Sequence, residues 1–166
     1  DINAFYNCSG ISEINIPEGI KTISNGAFCG CSNILDINLP STVTTIGSSA
    51  FYGCSKITNI TMPEKVTTVG DYAFQNCTSL ESVTIGKSVT SIGDDAFSAC
   101  TSLNVVHITD IAKWCTISFE NSTANPLYEA EDLYLNSELL QELVIPNSVT
   151  SISDYAFYYC KSLASV

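Results

Sequence analysis

Arginine is absent from this chain. All six basic residues are lysines, set against 17 Asp and Glu, so 166 residues carry a net charge of −11. Such a surface repels phosphate backbones and anionic headgroups, which argues against nucleic acid and lipid surfaces as partners. Long apolar runs are missing as well. None approaches the roughly 18 residues that span a bilayer, so no membrane insertion is expected. Histidine occurs once, at His107. A Ser-His-Asp or Cys-His arrangement needs a base beside its nucleophile, and a lone histidine on an exposed strand face does not supply one to Cys29 or Cys115. No glycine-rich loop is present to cradle a phosphate. The expectation is no enzyme, no cofactor and no metal. An initiator methionine and a signal-peptide pattern are also missing, and the chain opens and closes inside a repeat. It is therefore expected to be a mature or excised piece of a longer array.

What the sequence does have is a motif, Ala-Phe-x-x-Cys, recurring every 23 residues: Ala4–Cys8, Ala27–Cys31, Ala50–Cys54, Ala73–Cys77 and Ala96–Cys100, with a sixth copy, Ala156–Cys160, 60 residues on. A strict period in the 20s signals a solenoid, whose repeats bury their apolar faces only by stacking on one another. Apolar residues make up 45% of the chain and charged residues 14%, enough for a sizeable core. One domain over 1–166 is expected, with regular repeats over 4–108, an expanded variant repeat over 109–155 and a partial repeat over 156–166.

Six of the eight cysteines (Cys8, Cys31, Cys54, Cys77, Cys100, Cys160) share one repeat position and stack in a column. A column of identical inward positions reads as a buried, reduced ladder in which cysteine acts as a small apolar residue. Ranks about 4.8 Å apart admit a disulfide between neighbours only with strain. A zinc site of His107 plus ladder cysteines breaks the core. Cys29 and Cys115 lie off the ladder, and Cys29 is expected to be exposed.

Each unit reads as a turn, a strand and a second short β segment. Asn25, Ser48, Asp71, Asp94 and Asp154 suit an N-cap opening one helical turn. Asn7, Gly30, Gly53 and Asn76 suit the left-handed residue ending it, a rule from which Ala99 and Tyr159 depart. The strand follows the pattern Leu-x-x-Ile-x-Ile-Pro, with inward sets such as Ile34/Ile37/Leu39 and Leu80/Val83/Ile85, and Pro17, Pro40, Pro63 and Pro146 end it. The second segment carries Ile20/Ile23, Val43/Ile46, Val66/Val69, Val89/Ile92 and Val149/Ile152. In the variant repeat, Asp110 to Trp114 is expected to form the helical turn, with Trp114 in the place of Phe. Ile117 and Phe119 supply a second segment, and Asn136-Ser137 a hairpin turn.

A unit of the form Cys-x-x-Leu-x-x-Ile-x-Ile-Pro-x-x-Val-x-x-Ile-Gly-x-x-Ala-Phe, as in Cys77, Leu80, Val83, Ile85, Val89, Ile92, Gly93, Ala96 and Phe97, resembles the BspA-like leucine-rich repeat family, although Gly86 stands where that family has proline. The variant segment around Trp114, Phe119, Asn125-Pro126-Leu127 and Val144-Ile145-Pro146 is similar to a module common in the same proteins. The resemblance covers essentially the whole chain. It implies an α/β leucine-rich-repeat right-handed solenoid, strand-rich, with a parallel sheet and one short helical turn per repeat. It further implies a non-catalytic extracellular module, on a cell surface or secreted, which binds host matrix or cell-surface proteins. A structural spacer or assembly element within a longer surface protein is the alternative.

The binding surface expected for such a solenoid is the outward face of its main sheet. Two columns of residues form it: Glu13, Asp36, Asn59, Ser82, Val105, Glu142 and Asn15, Asn38, Thr61, Thr84, His107, Val144. They lack the clustered Trp, Tyr and Arg of a strong hot spot, and a merely solvated face is the competing reading. A second column, Thr22, Thr45, Thr68, Ser91 and Ser151, is too short and mixed for an ice-binding array and fits ordinary strand propensity. The acidic trio Glu129, Glu131 and Asp132 lacks the spacing of a committed Ca²⁺ loop and reads as a solvated charge run. The sequons at Asn7, Asn59, Asn76 and Asn121 read as chance occurrences. Apolar residues at both termini predict end-to-end self-association, or fraying of the outer ranks.

Overall fold

The computed structural model describes all 166 residues. Five strands recur one per rank: β1 (Glu13–Asn15), β3 (Asp36–Asn38), β5 (Asn59–Thr61), β7 (Ser82–Thr84) and β9 (Val105–Ile108). Between them lie the second segments β2 (Thr22–Ile23), β4 (Thr45–Ile46), β6 (Thr68–Val69), β8 (Ser91–Ile92) and β10 (Ser118–Phe119). The second segments pair in parallel in one unbroken sheet, β10-β8-β6-β4-β2. The main strands form β5-β7-β9 with β11 (Asp132–Leu135) and β12 (Glu138–Leu139) beyond, while β1 and β3 make a separate pair. Pairing Ile14 with Ile37, and Ile60 with Val83 with Val106, keeps these inward residues over their repeat equivalents. A period of 23 thus becomes straight columns of side chains.

The expected helical turn takes a different form in the regular ranks. It is a run of turns whose alternate amides bond to the next rank, and it therefore acts as a third ladder. Gly26, Phe28 and Gly30 donate to the carbonyls of Ser48, Ala50 and Tyr52 at 2.7–2.9 Å. The residues between them close locally, as in Ala27 to Ser24 and Cys29 to Gly26. The candidate N-caps likewise act across ranks: Asn25 Oδ1 accepts from Ser48 N and Asp71 Oδ1 from Asp94 N, both at 3.0 Å. The backbone is left-handed at both ends of the donor set. Ala99 and Tyr159 join the later position at φ 60° and 62°, and Asn3, Ser49, Tyr72, Asp95 and Tyr155 hold the earlier one. Gly70 answers a different constraint, since a Cβ there would lie 2.5 Å from the amide nitrogen of Ser48.

Inside the turn column, Phe5, Phe28, Phe51, Phe74 and Phe97 stack ring on ring, with centroids 5.3–5.5 Å apart. The cysteine ladder runs beside it. Cys31, Cys54, Cys77, Cys100 and the off-ladder Cys115 are buried, Cys8, Cys29 and Cys160 are half-buried, and all eight are free. Cysteine here is more than a small apolar residue. The thiols of Cys31, Cys54, Cys77 and Cys100 donate to the carbonyls of Phe5, Phe28, Phe51 and Phe74 one rank back, at 3.0–3.2 Å.

Burial pushes the Cys54 and Cys100 thiols from 9.0 up to about 12 and raises Cys77 well above its ordinary value. Between those limits the unfolded chain loses these protons first and so binds fewer than the folded one. Stability therefore falls as pH rises above about 9 and is insensitive to these groups below it. Denaturant midpoints at pH 8 and pH 10 check this, and the fall is shallower in a Cys54→Ala variant. Denatured, unreduced protein titrates all eight thiols with Ellman's reagent, whereas native protein exposes about two, Cys29 first. Six blocked thiols after denaturation would replace the reduced ladder with disulfides.

The variant rank departs from its reading in placement. Helix α1 (Ile111–Trp114) forms, and Asp110 caps it by accepting from Lys113 N at 3.0 Å. It sits between β9 and β10, however, where regular ranks turn after the main strand. Trp114 consequently does not continue the phenylalanine stack, and packs edge-on against Phe119 at 5.4 Å. The place of the Ala-Phe turn goes to a 3-10 turn, Ser122–Ala124, and helix α2 (Leu127–Ala130). Asp95 N and Ala99 N donate across to Asn121 and Glu129 there. The hairpin forms as expected, β11 antiparallel to β12, with Asn136 and Ser137 both at positive φ.

In the outer ranks some residues expected inside are open to solvent. Ile20 is 38% exposed and Ile152 49%, because only one neighbouring rank covers them. Val149 and Ile152 form no strand. No helix is long and apolar enough to cross a membrane.

Candidate binding face

Alternation along the main strands sends Glu13, Asn15, Asp36, Asn38, Asn59 and Thr61 out to solvent, while Ser82, Thr84, Val105 and His107 are half-buried on the same face. Parallel register lines Asn59, Ser82 and Val105 in one column and Thr61, Thr84 and His107 in the other. Within the first column Ser82 Oγ donates to Asn59 Oδ1 at 2.7 Å, so these polar groups partly satisfy one another. The early ranks present carboxylates and amides.

Beyond β9 the columns continue differently from the sequence reading. Strand β11 pairs in parallel with β9, setting Asp132 beside Val105 and Tyr134 beside His107. Glu142 and Val144 therefore do not follow Val105 and His107. Glu142 bridges forward to Ser165, and Val144 is 72% exposed in a segment without strand pairing of its own. Asp132 and Tyr134 are thus the members of the face that sequence reasoning missed. A signal was present: Leu133 falls in the inward column of Val83 and Val106, so Tyr134 must point the other way. The rings of His107 and Tyr134 meet at 5.4 Å, tilted by 53°. Leu139, opposite Tyr134 on β12, is 38% exposed. The face therefore changes along its length, from acidic and amide-rich to aromatic and apolar.

The threonine column is real but ends differently: Thr22, Thr45, Thr68 and Ser91 are followed by Ser118 rather than Ser151. The acidic trio does not converge. Glu129 accepts from the backbone of Ala99 at 2.9 Å, Glu131 pairs with Lys161, and Asp132 stands on the sheet face. No three His, Cys, Asp or Glu side chains gather closely enough to hold a metal ion. Cys29 is half-buried rather than open, and burial raises its pKa, which disfavours a reactive thiolate.

Comparison with known proteins agrees with this architecture. The model of the BspA type leucine rich repeat region matches in six copies over residues 1–125 and 130–166. A leucine-rich repeat protein from Bacteroides ovatus is 32% identical at a TM-score of 0.60, with 96% of this chain and 44% of that one covered. A leucine rich cell surface protein from Faecalibacterium prausnitzii is 30% identical at a TM-score of 0.57, covering 65% of this chain and 35% of that one. The leucine-rich repeat protein of T. pallidum, 24% identical at a TM-score of 0.63 over 99% of this chain and 59% of that one, shares the fold. The chain thus spans less than two thirds of the length of each. No curated protein matches it in sequence.

Proposed function

The chain belongs to the BspA-type leucine-rich repeat family, and from this premise we propose a non-catalytic binding module, displayed on a cell surface or secreted, that takes a protein partner on the outward face of its main sheet. The observation that carries this reading is the change in character of that face. Val105, His107, Tyr134 and Leu139 gather apolar and aromatic surface at its C-terminal end, the composition found at the centre of protein interfaces. The more polar early ranks of both columns, from Glu13 to Thr84, supply the rim, where hydrogen-bonding groups set register. The surface location rests on the resemblance to the F. prausnitzii protein, which is described as a cell surface protein. The partner class, a host matrix or cell-surface protein, comes from the family resemblance.

A triple variant, Val105→Asp/His107→Ala/Tyr134→Ala, tests the site. Captured on a sensor surface and presented with host matrix proteins, the native chain retains a partner. The variant loses affinity by at least about tenfold, as expected when an interface centre is truncated. Equal binding by both proteins would move the partner off this face. Binding abolished only by changes at the ends, such as Phe5→Asp, would favour the structural spacer.

A further inference from the structure

Four tyrosines that no repeat rule requires meet on one side of the last turns. Tyr128 comes from α2, and Tyr155, Tyr158 and Tyr159 from the closing Ala-Phe turn. Tyr128 and Tyr158 stack at 6.4 Å with planes 4° apart, Tyr159 lies 5.5 Å from Tyr128 and 5.1 Å from Tyr158, and Tyr155 meets Tyr158 edge-on at 5.9 Å. Each of these residues is 37–51% exposed. Contiguous open aromatic surface of this kind marks an interaction site on a soluble protein.

The chemistry around the rings selects the occupant. Glu129, Glu131 and Asp154 border them in sequence, and the chain as a whole carries −11. One cation is already at the patch. Lys161 Nζ sits 5.9 Å from the centroid of Tyr159 and pairs with the Glu131 carboxylate. The molecule thus displays an intramolecular instance of a cation held between a tyrosine face and a carboxylate. The stacked pair Tyr128/Tyr158 holds no such cation. Planar guanidinium groups stack on aromatic faces and bridge to carboxylates, which a compact ammonium does less well.

We propose that this tyrosine patch is a second interaction surface, separate from the sheet face, and that it binds an arginine-rich peptide segment of a partner protein. Guanidinium planes lie on Tyr128 and Tyr158, and the exposed Asp154 and the second carboxylate oxygen of Glu129 take the guanidinium N–H groups, Glu131 being paired with Lys161. Long-range attraction toward the acidic chain adds on-rate but no selectivity.

The probes are fluorescent peptides of alternating Arg and Gly, the Lys equivalent of equal charge, a citrulline equivalent, and a neutral oligosaccharide, each titrated by anisotropy into the whole chain. The Arg peptide binds at least about fivefold tighter than the Lys peptide at physiological salt, and the citrulline peptide loses that binding. Tyr158→Ala/Tyr159→Ala, with an unchanged thermal midpoint, erases the preference for Arg. Tyr128→Ala, removing one ring from the other side of the patch, serves if the double variant unfolds. His107→Ala/Tyr134→Ala on the sheet face leaves Arg-peptide binding intact, so failure of one surface is distinguishable from failure of the other. Equal affinity for the Arg and Lys peptides overturns the proposal, as does Arg preference that survives loss of the tyrosines. Oligosaccharide binding to the patch without peptide binding overturns it in favour of a glycan.

Discussion

Replacing Phe51 by alanine lowers the free energy of unfolding by about 3–5 kcal/mol, the range for emptying a buried aromatic site. Phe51 is fully buried, and its ring lies between those of Phe28 and Phe74 at 5.5 and 5.4 Å. Neither neighbour can collapse into the gap, because the amides of Phe28 and Phe74 are fixed by bonds to Ala50 and Ala96 in the next ranks. The same change at Phe5, where the ring is 44% exposed, costs well under half as much, since less area returns to water. Urea denaturation of both variants makes the comparison. A loss below about 0.5 kcal/mol at Phe51, the scale of surface substitutions, would show that the ring stack is not core.

The pair of variants also separates two origins of stability in a repeat protein. A solenoid is held by interfaces between ranks, and here the four interfaces between the regular ranks each contain a ring contact and a thiol-to-carbonyl bond beside their short backbone ladders. The Cys77 thiol donates to the Phe51 carbonyl, so the ring column and the cysteine column share a backbone group. This coupling explains why a single spacing governs both residues. A shift in one column would break the other.

The inward columns were legible in the sequence for that reason. Phe28, Cys31, Ile34 and Ile37 must each meet the same residue type one rank away, and so the period is visible in residue identity. The earlier left-handed position was not legible. Its occupants are Asn3, Gly26, Ser49, Tyr72, Asp95 and Tyr155, and intrinsic preference favours only some of them. The amides at this position bond to the adjacent rank in Asn3, Gly26, Ser49 and Tyr72, and the ladder dictates the backbone where propensity does not. Ala99 holds positive φ at the later position with its amide bonded instead to the Glu129 carboxylate at 2.9 Å.

The candidate face was legible through β9 and misread after it. Leu133-Tyr134-Leu135 shows period-2 alternation, which fits both an arm of the Asn136-Ser137 hairpin and a further rank of the parallel sheet. In the structure it is both, parallel to β9 on one side and antiparallel to β12 on the other. One strand can serve two neighbours of opposite sense, and alternation alone does not reveal that. The buried Asn125 is a second such case. Its Nδ2 donates to the carbonyls of Tyr155 and Ala156 at 2.7 and 3.2 Å, and its Oδ1 accepts from Leu127 N at 2.9 Å. An asparagine before proline reads as a turn residue, and only three-dimensional packing shows it as a peg between the variant rank and the closing turn.

Trp114 is the other peg, and its removal is the second change expected to be large. The indole is 1% exposed, and its N–H donates to the Ala156 carbonyl at 2.8 Å. Trp114→Ala costs about 3–5 kcal/mol by cavity formation. Trp114→Phe keeps most of the apolar volume and loses the donor, for a cost of about 1–2 kcal/mol, moderated because Asn125 still reaches the same carbonyl. The loss is expected to be local first. In a stack of ranks, weakening one interface releases the ranks beyond it before the centre opens. Hydrogen exchange reads this directly: the amides of Ala156, Tyr158 and Cys160 exchange faster in either variant, while those of Phe51 and Phe74 remain slow. Because Tyr128 lies on one side of this tie and Tyr155, Tyr158 and Tyr159 on the other, Trp114→Phe also weakens Arg-peptide binding from a buried position outside the patch. Uniform acceleration across all ranks would mean that the solenoid unfolds as one unit, with no separable closing turn for Trp114 to hold.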